Sequence, residues 1–203
     1  MADAHQLYDE APLPLAARGR DSVGWWGVLC LIATEACLFA YLLFSYYYTA
    51  LQYGPGWSPE PHPSLALALP NTLVLMFSSV CVWWGERGAA RGRTGQHLAG
   101  FGAAIVLGLI FLGVQIFEWK AKTFAITSGS YGSLYFTITG FHMAHVIVGV
   151  AVLATVFGWS AGGYFSARRC TPVLVSSAYW HFVDAVWIAV FFTFYLTPYL
   201  VRA

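Results

Sequence analysis

The sequence predicts an all-α integral membrane protein, a bundle of five transmembrane helices, and three observations carry that prediction. Of its 203 residues, 59% are hydrophobic and only 9% charged, whereas soluble domains carry roughly 25% charged residues. The apolar residues gather into five blocks, near Gly24–Thr49, Leu65–Gly85, Leu98–Phe117, Gly132–Trp159 and Val173–Thr197. A helix crossing the ~30 Å hydrocarbon core needs about 20 such residues. None of the blocks shows the strict polar/apolar alternation over ~10 residues that a membrane β-barrel strand requires.

Residues 1–23 form a polar amino-terminal segment with Asp3, Asp9, Glu10 and Asp21, unlike the basic start of a secretory signal. The first block therefore reads as a retained membrane helix, with Asp21-Ser22 placed to cap it. Pro70 lies inside the second block and is expected to bend or delay that helix, whereas Pro172 stands near the start of the fifth, where its missing N–H is harmless. The first connection, Gly54-Pro-Gly-Trp-Ser-Pro-Glu-Pro-His-Pro63, has the Pro/Gly density of an ordered turn. Short connections predict antiparallel neighbours. The transmembrane domain occupies 24–197 and leaves 198–203 as a tail.

Arg18, Arg20, Arg87, Arg91, Arg93, Arg168 and Arg169 fall at one set of block ends, and only Lys120, Lys122 and Arg202 at the other. Because cytoplasmic loops carry the excess of Lys and Arg, the amino terminus is expected inside and the carboxyl terminus outside. Trp25, Trp26, Tyr46 to Tyr48, Trp83, Trp84, Trp159, Tyr195 and Tyr199 cluster at block ends, the depth at which amphipathic rings anchor a bundle. Cys30, Cys37, Cys81 and Cys170 make no CxxC or CxxxC unit, which argues against a zinc site, a dinuclear copper site or a disulfide framework. A net charge of +1 supplies no basic field for nucleic acid. No phosphate-binding glycine loop, dinucleotide fingerprint or nucleophile elbow is present, and Gly158-x-x-x-Gly162 straddles a block end and reads as chance.

Ionisable groups inside a membrane cost ~2.5 kcal/mol or more at a helix centre and default to inward-facing, paired positions. Here they are Glu35, His142, His145, His181 and Asp184, with Glu118 at the end of the third block. Glu35, His145 and Asp184 share a depth near the middle of their blocks, and the economical arrangement pairs Glu35 with His145 as a structural clasp. A proton-carrying role for the pair is the sharper alternative. His142 and His145 are three apart on one helix, as are His181 and Asp184, so each pair projects to one side. Two histidines on facing helices could ligate haem iron. Their spacing does not match a di-haem bundle, and Asp184 is expected to hydrogen-bond His181 instead.

These residues sit in phrases: Trp26-Gly27 through Glu35-Ala-Cys-Leu-Phe39, Pro70-Asn71-Thr72, Glu118-Trp119, Tyr131-Gly-Ser133, Thr139-Gly-Phe-His142-Met-Ala-His145-Val, and Tyr179-Trp-His-Phe-Val-Asp-Ala-Val-Trp187. Taken in order over about residues 24 to 197, they resemble subunit III of the haem–copper respiratory oxidases. That family commonly has seven helices. The resemblance implies the short bacterial form without the first two, and a lipid-filled cleft that is reduced or completed by other subunits.

The resemblance further implies a non-redox subunit of an aa3-type terminal oxidase, non-catalytic itself, in the bacterial plasma membrane. Haem and copper would lie in partner subunits and none in this chain. The chain would pack on subunit I, join subunit II and the rest of the complex, bind phospholipid, support proton uptake and protect the enzyme during turnover, with oxygen passing through the lipid cleft. By position, Glu35 matches the family's carbodiimide-reactive membrane glutamate and His145 its buried partner. His142, Glu118, His181 and Asp184 match positions of internal hydrogen bonding. The corresponding subunit of a quinol oxidase and an accessory protein of a nitric-oxide reductase remain close alternatives; an independent proton-coupled transporter and a b-type cytochrome are alternatives of another kind.

Overall fold

The computed structural model describes residues 19–54, 56–57, 65–165 and 170–200. All regular structure among them is helical: a short 3₁₀ turn at Gly19–Asp21, then α1 (Val23–Tyr53), α2 (Leu65–Ala90), α3 (Thr94–Lys120), α4 (Ser130–Ala161) and α5, which begins at Thr171 and runs through Tyr199. These five helices are long and apolar enough to cross a membrane. Each outruns its apolar block. At ~1.5 Å per residue a chain such as α1, with 31 residues, exceeds the hydrocarbon core, because helical hydrogen bonding continues where side chains turn polar. Most of the Pro/Gly-rich first connection, the first eighteen residues, Arg168, Arg169 and Arg202 lie outside the described residues.

Local chemistry starts the helices where the sequence places them. Ser22 caps α1, its Oγ accepting from Trp25 N at 3.1 Å, and Pro172 stands in the first turn of α5. Pro70 does not delay α2, which already runs from Leu65 with the proline inside it. In α5 the turn Phe192–Leu196 widens to π geometry, and the N–H of Thr197 reaches the Phe192 carbonyl. The next residue, Pro198, has no N–H to give to Phe194, so the preceding turn relaxes into the wider form.

Packing order departs from chain order at one place. Pairs α2/α3, α3/α4 and α4/α5 are neighbours as expected, but α1 packs on α5 and α4, with no comparable packing on α2. α1 is the peripheral helix: 11% of its most apolar stretch is buried, against 50% for α5. The closest approach is between α2 and α3. A Cβ at Gly100 would lie 2.6 Å from the Cys81 carbonyl oxygen and 2.7 Å from Gly85 Cα, so glycine is required there. Small residues let membrane helices approach in this way. Gly158 meets nothing within 4 Å, consistent with a chance motif.

The core is aromatic. Trp180, Trp187, Tyr135, Tyr195, Phe101, Phe111 and Phe194 are fully buried. The block-end aromatics divide: Trp26, Trp83, Trp84, Trp159, Tyr48 and Tyr199 are exposed as an interfacial belt requires, whereas Tyr46 and Tyr195 are buried. Tyr46 sits edge-on to Phe194 and tilted against Trp57, and Tyr195 turns inward at the π turn. Those two rings hold helices together instead of anchoring them in the headgroups.

Candidate functional site

Glu35 on α1 and His145 on α4 meet. Glu35 Oε2 lies 3.0 Å from His145 Nε2, and Phe39, one turn on from Glu35, covers the imidazole edge-on at 5.0 Å. The other imidazole nitrogen, Nδ1, is 2.7 Å from the Phe141 carbonyl of its own helix. A carbonyl only accepts, so Nδ1 carries hydrogen. Nε2 and Glu35 then share one proton between them, and the pair is neutral overall whichever atom holds it. With side chains 26% and 13% exposed, it lies near the rim of the α1/α4 seam.

Asp184 does not join this pair, and it does not bond His181. His181 Nδ1 instead reaches Ser79 Oγ of α2 at 2.7 Å, while both Asp184 oxygens are buried without a hydrogen-bond partner. Three positions apart on α5, the two side chains share Ser79 as a neighbour: Asp184, itself buried, lies beside the hydroxyl that His181 bonds, without reaching hydrogen-bond geometry. His142 parts from His145. It is 0% exposed, bonded at neither nitrogen, and packed between Trp187 at 4.7 Å and Phe111 at 5.8 Å.

Around these, α2 and α5 are laced by hydroxyl and indole groups. Trp187 Nε1 donates to Thr72 Oγ1 and Trp180 Nε1 to Ser78 Oγ, both at 3.0 Å, and Asn71 Nδ2 donates to the Phe111 carbonyl at 3.3 Å. An indole N–H buried in hydrocarbon needs such an acceptor.

A second charged cluster closes the end of the bundle that carries the α3–α4 connection. Glu118 Oε1 accepts from Lys122 Nζ at 2.8 Å and from the Tyr195 hydroxyl at 2.6 Å, and the Tyr135 and Tyr195 hydroxyls are 3.1 Å apart. Lys122 also lies over both phenol rings, 5.2 and 5.5 Å from their centroids. Its side chain is 11% exposed and that of Glu118 7%, so this ion pair is largely withdrawn from solvent.

Sequence reasoning singled out Glu118 and missed its company. Along the chain Tyr195 reads as a headgroup anchor and Lys122 as a loop charge, and the signal for Gln115 is a glutamine inside an apolar block three residues before a glutamate. Sequence reasoning also missed His97, buried with Nδ1 3.3 Å from the Gly85 carbonyl, and Glu86, which lies beside Ser177 with Arg20 and Arg87 near. Among the described residues no three His, Cys, Asp or Glu side chains gather as a metal ion would need.

A family model described as cytochrome c oxidase subunit III matches residues 21–199, which takes in all five long helices. The chain belongs to that family. Curated relatives agree. It is similar to cytochrome c oxidase subunit 3 of Loxodonta africana, 32% identical over 177 residues, covering 84% of this chain and 68% of the relative. The corresponding proteins of Locusta migratoria (30% identical; 84% and 67%) and Lemur catta (33%; 84% and 65%) are similar to it as well. As a subunit III family member it is a membrane protein of the respiratory chain and part of an oxidase complex with other subunits.

The subunit III phrases acquire physical roles from the geometry. In Tyr131-Gly-Ser133, a Cβ on Gly132 would collide with the Ala125 carbonyl, and Ser133 Oγ donates to the Ile126 carbonyl at 2.7 Å, so the phrase seats the α3–α4 connection on the start of α4. In Glu118-Trp119 the indole donates to Thr139 Oγ1 at 3.2 Å. Pro70-Asn71-Thr72 and Trp180 to Trp187 supply the two sides of the α2/α5 lacing.

Proposed function

We propose that this chain is the non-redox subunit III of an aa3-type terminal oxidase in a bacterial plasma membrane, with its amino terminus cytoplasmic and its carboxyl terminus outside. In this reading it packs on subunit I beside subunit II, binds phospholipid, supports proton uptake and sustains turnover while the complex reduces oxygen to water. It is itself non-catalytic, and haem and copper belong to partner subunits.

The observation that carries the reading is the Glu35–His145 contact, a buried-edge polar pair in a chain matched to the family from residue 21 to 199. A pair in which both imidazole nitrogens are engaged suits a clasp better than an axial ligand, since a ligating histidine needs one nitrogen for the metal. His181 holds Ser79 through Nδ1 alone, and His142 is enclosed between rings. The uncovered apolar side chains of α1, such as Leu31, Tyr41 and Phe44, offer acyl chains or a partner helix a surface. The distribution of Lys and Arg supports the orientation.

The test is gentle purification of the tagged chain from native membranes, with visible spectra before and after partners are stripped. Haem and copper are expected to accompany the chain and leave with a larger subunit. A Soret band retained by the stripped chain overturns the non-redox reading. Oxidation of cytochrome c, against quinol, by the intact complex distinguishes the two kinds of donor.

A further inference from the structure

We propose that the bundle holds a bound-water site at the end that carries the α3–α4 connection, formed by the Gln115 side chain, Glu118 Oε2 and the Tyr135 hydroxyl. Gln115 is 0% exposed, and neither its Nε2 nor its Oε1 has a protein hydrogen-bond partner. Glu118 Oε2 is buried and unpartnered too, although Oε1 of the same carboxylate takes both Lys122 and Tyr195. Gln115 and Glu118, three apart on α3, share one face. The Gln115 side chain lies beside the Tyr135 hydroxyl without reaching hydrogen-bond geometry, which is the near miss that a bridging water spans.

The chemistry of the open atoms selects the ligand. Glu118 already has its counter-charge in Lys122 at 2.8 Å, so the site requires no further cation. What remains is two acceptors, Glu118 Oε2 and Gln115 Oε1, the Gln115 Nε2 amide as donor, and the Tyr135 hydroxyl, whose proton goes to Tyr195 because Tyr195 gives its own to Glu118, and which therefore accepts. A ligand there must be small, neutral and able to donate twice while accepting. Water meets all three conditions, and buried waters characteristically take about three such bonds. The π turn of α5 puts Tyr195 at the wall of this site, so the water completes a network joining α3, α4 and α5.

Radiolytic labelling in ¹⁸O-water, read by mass spectrometry on the chain purified with its native partners, tests the site. Tyr135 and Tyr195 are expected to take up label several-fold faster than Phe101 and Trp180, which are equally buried but lie away from the site. Gln115→Leu is expected to lower the labelling of both tyrosines without raising the melting temperature of the complex. Labelling of the tyrosines no faster than the two controls overturns the proposal. So does a Gln115→Leu or Gln115→Met complex that melts higher than wild type, because removing a dry, unpaired amide relieves strain whereas removing a hydrated one does not. The wild-type labelling is decisive even if neither variant assembles.

Discussion

Glu35 Oε2 and His145 Nε2 stand 3.0 Å apart across the seam between the least buried helix and the bundle. α1 covers little of its own apolar surface, and lipid tails compete for that surface on equal terms, so its attachment leans on polar ties. Among the described residues these include, besides this pair, the Tyr47 hydroxyl contacts with Thr193 Oγ1 at 3.0 Å and Thr197 Oγ1 at 3.5 Å and, from residues flanking the helix, the Gly19 N–H to Thr171 Oγ1 bond at 3.2 Å and the Trp57 indole to Ser130 Oγ bond at 2.8 Å. Glu35→Ala and His145→Leu are each expected to loosen α1. The cost is set at about 1–2 kcal/mol, the range of interhelical polar pairs in membranes, below the ~3–5 kcal/mol of a fully buried ion pair, because both side chains are partly exposed. Thermal denaturation of the complex and the half-life of its turnover should fall together, with the initial rate preserved. Loss of the first turnovers in either variant would instead assign the pair an obligatory proton-transfer step.

Because His145 Nδ1 is committed to the Phe141 carbonyl, a neutral donor at position 35 still finds an acceptor at Nε2. Glu35→Gln is therefore expected to keep most of the stability that Glu35→Ala loses. Melting temperatures of the three proteins, compared in one detergent, check the order. A Glu35→Gln protein no more stable than Glu35→Ala would mean that full charge, not the hydrogen bond, holds the seam.

Gly100→Ala is expected to be among the most damaging single-methyl additions in the chain, because the new Cβ meets the backbone of α2, at Cys81 and Gly85, and not a side chain that can turn aside. Overpacking of this kind typically costs about 1–3 kcal/mol. Gly113 on the same helix meets nothing within 4 Å. Gly113→Ala should be neutral or slightly stabilising, since alanine is the better helix former by about 0.8–1 kcal/mol. Assembly yield and melting temperature of the two variants side by side measure the difference.

Trp187→Phe removes the indole N–H that Thr72 accepts and leaves the ring contacts with Phe111 and His142 largely in place. The loss is expected near the ~0.5–1.5 kcal/mol of one hydrogen bond, with a further contribution from the smaller ring. Trp187→Phe combined with Thr72→Val should cost less than the sum of the two single changes. Strict additivity in that double-mutant cycle would show that the bond does not couple α2 to α5.

The sequence by itself determined the membrane class, the five helices, the cap at Ser22 and the meeting of Glu35 with His145. The reason is that hydrocarbon tolerates so few arrangements: a long apolar run must be helical, and an ionisable group at mid-depth must find a partner at the same depth. Tertiary structure alone decided which polar groups converge. Equal depth could not separate Asp184, which meets neither Glu35 nor His181, from Glu35, because depth leaves the rotation of each helix open, and rotation follows from packing around Trp180, Trp187 and the close α2/α3 contact. Nor could chain order reveal that α1 leaves α2 for α5 and α4. Tyr195 turns inward within the widened turn before Pro198, and that turn, with Lys122 folding back over two phenol rings, assembles the Glu118 cluster from residues that read along the chain as a headgroup anchor and a loop charge.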